Sequence, residues 1–67
     1  MNNFKVVLKD LRLEKGLTQK QLAKELGVLE RTISYWESGN RECDFDTLIL
    51  IAKFFAVSID FLLGLED

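Results

Sequence analysis

The residues best placed to do chemistry in this chain lie between Leu29 and Ser38. At about 100° per residue on a helical wheel, Ile33 and Trp36 mark one direction, with Leu29 at the entry on the same side. Arg31, Ser34, Tyr35 and Ser38 fall opposite them, on a face the core does not need. That face holds a guanidinium fork, two hydroxyls and a phenol. These are groups for hydrogen bonding at a surface, not for bond making. Catalysis has little else to draw on: the chain has no His, no convergent acid pair and a single Cys, Cys43. A lone Cys forms no internal disulfide, and without His no metal constellation is expected. We expect no enzyme activity and no cofactor.

Charge is unevenly distributed around this face. The chain carries −2 overall, which by itself argues against a polyanionic partner. Residues 1–41, however, hold eight Lys/Arg against five Asp/Glu, whereas residues 42–67 hold one Lys and six acids. The positive surplus therefore travels with the polar helix.

The elements that must position this face read as five helices in one unit spanning 1–67, with no linker, repeat or low-complexity segment. A chain of 67 residues must spend most of its apolar side chains on its core. The first helix covers about 4–15, with Phe4, Val7, Leu8 and Leu11 on one stripe and Gly16 closing it in the left-handed conformation. The second covers about 18–26. Thr18 and Gln21 form a T-x-x-Q capping box, Leu17 and Leu22 an apolar staple across it, and Leu22, Ala23 and Leu26 face inward. Gly27 ends this helix and leaves only Val28 and Leu29 before the third, at about 29–38, so the two meet at a steep angle. Leu29 cannot accept the orphan amide hydrogens at its helix start, whereas Glu30 in the first turn favours the helix electrostatically by about 0.3–1 kcal/mol. The fourth helix covers about 45–56, capped by Asp44 and buried through Leu48, Ile51, Ala52 and Phe55. A short fifth covers 58–63, capped by Ser58. No apolar run is long enough to span a membrane, and Met1 to Lys5 lead into charged residues without a signal-peptide pattern. A cytoplasmic location is expected.

Three segments, LRLEKGLTQKQLAKELGV, TISYWESGNR and DTLILIAKFFAVSIDFLLG, together resemble the Cro and phage-repressor-type helix-turn-helix domains, the all-α, five-helix lambda-repressor-like fold. The resemblance runs from about Val7 to Gly64. It implies a sequence-specific, double-stranded DNA-binding transcriptional regulator, expected to be a bacterial or phage repressor, whose third helix enters the major groove. Carried over position by position, the resemblance implies base contacts from Glu30, Arg31 and Tyr35, with Leu29, Thr32 and Ser34 at the margin. Arg31 suits guanine O6/N7, Glu30 a cytosine amino group and Leu29 a thymine methyl. Phosphate contacts are implied for Thr18, Gln19 and Lys20 at the start of the second helix, and for Asn40 and Arg41 after the third. Arg12 and Glu37 are implied as an ion pair between the first and third helices. Leu50, Phe54, Phe61 and Leu65 form either an exposed apolar patch, through which a homodimer reads a two-fold operator, or part of a slightly enlarged monomer core. Two other uses of the same fold stay open, a protein-interaction module and an antitoxin. Binding that does not weaken as salt rises would mark the first, and a neighbouring toxin gene the second.

Overall fold

The computed structural model describes residues 2–65, and these form five helices: α1 (Phe4–Glu14), α2 (Gln19–Leu26), α3 (Glu30–Ser38), α4 (Phe45–Phe55) and α5 (Ile59–Leu62). Each is shorter than its apolar pattern predicts by the residues that cap it. Lys15, Thr18, Leu29, Ala56, Ser58 and Leu63 belong to the turns that begin or end the helices.

Three of the helix starts are made by side chains. Thr18 Oγ1 accepts from the Gln21 amide at 3.0 Å while Gln21 Oε1 accepts from the Thr18 amide at 2.8 Å, the reciprocal capping box. Asp44 Oδ1 accepts from the Thr47 amide at 2.9 Å, and Ser58 Oγ from the Phe61 amide at 3.0 Å. Both hydrogen bonds from Thr47 favour the charged carboxylate, so Asp44 is held below the usual carboxylate range. Leu29 makes no side-chain cap. A left-handed residue follows each of the five helices within two positions, Ala56 (φ 56°) after α4 and Gly after the other four.

The core gathers Phe4 and Leu8 of α1, Leu22, Ala23 and Leu26 of α2, Ile33 and Trp36 of α3, Leu48, Ile51, Ala52 and Phe55 of α4, and Leu62 of α5. Val7, Leu11 and Leu17 pack partly buried against it. Phe4 meets Trp36 edge-on, with ring centroids 6.3 Å apart. α3 packs on both α2 and α1, and α5 on α1 and α4, so the polar side of α3 is the one left outward. The Asn3 amide donates to the Leu63 carbonyl at 2.9 Å and fastens the start of α1 to the end of α5.

Candidate nucleic-acid interface

α2 and α3 are joined through Gly27, Val28 and Leu29. Gly27 is left-handed (φ 72°), and the Val28 amide bonds the Ala23 carbonyl at 2.9 Å, which closes α2 and turns the chain sharply. α3, nine residues long, spans about 13 Å. With side chains a helix is about 10–12 Å across, the width of a B-DNA major groove.

On its outward side Glu30, Arg31, Ser34, Tyr35 and Ser38 are exposed, as is Leu29 at its start. Thr32 is half-buried and lines an open cleft between α3 and the segment Glu42–Thr47, so it sits on the flank of the face. Ser38 is turned back on its helix, its hydroxyl donating to the Tyr35 carbonyl at 3.1 Å.

One flank of the face is the start of α2. Thr18 and Lys20 are exposed, and the amides of Gln19 and Lys20 lie in the first turn, where a helix has no carbonyl of its own to offer them. Gln19 is half-buried. Its Nε2 donates to Glu37 Oε1 at 3.1 Å and so ties this turn to α3. The other flank is the loop after α3, where Asn40 and Arg41 are exposed and the Arg41 guanidinium lies 5.5 Å from the centroid of the Tyr35 ring. Through Gln19 and Arg41, the start of α2 and the loop after α3 thus both lie against α3.

Beneath this surface Arg12 and Glu37 are joined twice. Arg12 Nε donates to Glu37 Oε2 at 2.7 Å and Nη2 to Oε1 at 3.0 Å, while Nη1 donates to the Leu17 carbonyl at 2.8 Å. Their side chains are 9% and 4% exposed. Glu37 as a whole residue is more open, because the remaining exposure is in its backbone. The pair locks α1 to α3, and through Gln19 to α2.

Two neighbours of the face carry no motif in the sequence. The Lys5 side chain runs beside Gly39, with its Cδ 3.0 Å from where a Cβ would stand. It puts a cation next to Asn40 and Arg41. Glu42, Cys43 and Asp44 line the same cleft as Arg31 and Arg41. Burial, with smaller contributions from the Asp44 and Glu42 charges, raises the Cys43 thiol to about 11, which keeps it protonated at neutral pH.

The expected apolar patch is only partly free. Leu50, Phe61 and Leu65 are exposed. Phe54 is half-buried, set edge-on to Phe55 at 5.0 Å and covered by the Lys15 ammonium 5.2 Å from its ring centre. Helix α4 also exposes Phe45 and Ile49.

A helix-turn-helix family model matches residues 8–62. The helix-turn-helix-type transcriptional activator BcrR of Enterococcus faecalis is 47% identical over 64 residues, 96% of this chain but 31% of BcrR. A helix-turn-helix-type transcriptional regulator of Methanocaldococcus jannaschii is 42% identical over 60 residues, 90% of this chain and 91% of that protein. Among solved structures, the P22 c2 repressor in complex with a synthetic operator superimposes with a TM-score of 0.88 at 26% identity, covering 98% of this chain and all of that one. No helix among the described residues is long and apolar enough to cross a membrane. With the family model spanning most of the chain and the α2–turn–α3 geometry in place, this protein belongs to the helix-turn-helix family.

Proposed function

We propose that this chain is a sequence-specific, double-stranded DNA-binding transcriptional regulator, a bacterial or phage-type repressor working in the cytoplasm, that lays α3 in the major groove. One observation carries the reading. The outward side of α3 is polar and exposed, on a helix whose inner side is fixed by Ile33, Trp36 and the Arg12–Glu37 pair, in a chain that superimposes on an operator-bound repressor. Leu29, Glu30 and Arg31 at the leading end of α3 face base edges, Ser34 extends the row, and Thr32 stands at its margin. Arg31 takes guanine, Glu30 the cytosine amino group and Leu29 a thymine methyl. Phosphates are held by Thr18, Gln19 and Lys20 on one side and Asn40 and Arg41 on the other, with amides at the α2 start contributing. Gln19 has one amide hydrogen committed to Glu37, and its other donor and the backbone remain for phosphate.

Two copies read a two-fold operator with half-sites about 34–36 Å apart. Leu50, Phe61 and Leu65, with Phe54 at the edge, offer apolar surface for their contact. Static light scattering across concentration tests this: a monomer at high concentration overturns association off DNA.

Selection of bound sites from random duplex DNA, with the parent and Arg31→Ala side by side, tests the central reading. Loss of one bidentate guanine contact costs about 1–3 kcal/mol and relaxes preference at one base pair per half-site. No enrichment at low salt overturns DNA binding and favours a protein partner.

A further inference from the structure

Tyr35 is tied into the loop that follows α3 at both its ends. Its carbonyl accepts from the Ser38 hydroxyl at 3.1 Å and from the amides of Asn40 at 3.0 Å and Arg41 at 3.3 Å. Its ring, 40% exposed, lies against the guanidinium of Arg41 at 5.5 Å. Arg41 forms no ion pair with a carboxylate of the described residues, although Glu42 and Asp44 line the same cleft. The aromatic face, not an acid, therefore sets where this cation sits.

We propose that Tyr35 is a positioning residue, whose ring is the platform that holds Arg41 beside the α3 face in a phosphate-binding pose, so that it acts through Arg41 and reads no base itself. This role rests on the DNA-binding reading. An arginine on an exposed loop has many rotamers, and ordering it on binding is unfavourable; a ring that holds it beforehand reduces that cost. The guanidinium plane can stack while its edge donates outward, which a lysine ammonium does not do. The phenol hydroxyl plays no part in this, and that makes the role separable from base reading.

The test is the affinity for the selected operator, measured from low to moderate salt, for the parent, Tyr35→Phe, Tyr35→Leu, Arg41→Ala and the Tyr35→Leu/Arg41→Ala double variant, each first shown to be folded by circular dichroism. Arg41→Ala is expected to lower the slope of log K against log salt by about 0.9, with equal loss on all sequences. Tyr35→Phe keeps the platform and binds as the parent does. Tyr35→Leu loses about two- to fivefold, the size of an exposed cation–π contact, uniformly across base substitutions. It loses nothing further when Arg41 is already Ala. If Tyr35→Phe shifts preference at one base pair, or Tyr35→Leu costs as much with Arg41 absent as with it present, the positioning role is overturned. A parent that selects no site at all overturns the DNA reading beneath it, a failure distinct from a binding parent with uncoupled losses.

Discussion

Replacing Arg12 by Ala should nearly unfold the protein. The substitution removes both bonds to Glu37 and the one to the Leu17 carbonyl, and leaves a carboxylate whose side chain is 4% exposed with Gln19 as its remaining partner. Removing one member of a buried pair costs about 3–5 kcal/mol, because the other charge stays desolvated. At about 0.05–0.15 kcal/mol per residue, a chain of this length has roughly 3–10 kcal/mol in total. With a urea m-value near the small-protein limit of about 1 kcal/mol/M, the midpoint should fall by about 3 M or more. Trp36, 5% exposed and on the same helix as Glu37, supplies a fluorescence signal for the melt. Replacing Arg12 and Glu37 together by Met and Leu should recover most of the loss, since apolar residues of similar volume leave no orphan charge. Should Arg12→Ala melt within about 1 kcal/mol of the parent, the pair is not desolvated in solution and its structural role is refuted.

Three further outcomes are expected. Ala56→Gly relieves a left-handed alanine, worth about 1–2 kcal/mol, against about 0.4–1 kcal/mol of added freedom in the unfolded chain. The net gain of roughly 0.5–1 kcal/mol should raise Tm by a few degrees, and a lower Tm would refute it. Leu29→Ser supplies the cap that α3 lacks and should stabilise by about 1 kcal/mol in the same melts while changing operator preference; unchanged stability would show that the helix start is already satisfied. Cys43, raised to about 11 by burial, should alkylate slowly near pH 8 in the folded protein and at the normal rate in urea. The sign for stability follows: the folded state holds its proton more tightly, so this contribution is intact below the unfolded value near 9 and is lost as pH climbs toward 11.

The caps were the most legible part of the fold. Thr18 with Gln21, Asp44 and Ser58 each act through an atom three residues away, and such short reach is encoded locally. The buried faces of α2 and α4 followed from period alone. What sequence reading lacked was where long side chains go once helices from different parts of the chain meet. The Gln19 bond to Glu37, Lys15 over Phe54, Lys5 along Gly39 and Arg41 against Tyr35 join residues from six to thirty-nine positions apart, and each side chain has several rotamers that the sequence leaves equivalent. Phe54 is a further case. Its place on the wheel puts it outward, and a cation from the end of α1 covers it.

The N-cap residues of α1 and α3 make no side-chain cap, but only α3, the helix with the exposed polar face, begins with a residue that has no oxygen to offer. Thr18, Asp44 and Ser58 give α2, α4 and α5 an oxygen for their first amides, while α3 begins with an exposed Leu29 and then Glu30. A serine at position 29 would be more stable by local physics. Local departures of this kind concentrate where a surface serves something other than folding. In the DNA-bound arrangement we propose, the two residues discriminate by opposite means. Leu29 gains from a methyl group and loses little without one. Glu30 is repelled by phosphate and is buried without a partner wherever the facing base pair lacks a cytosine amino group, so it acts mainly by exclusion. In that arrangement the positive surplus of residues 1–41 would supply attraction that does not depend on sequence, and an acid at the leading tip of α3 would withhold it from the wrong sites.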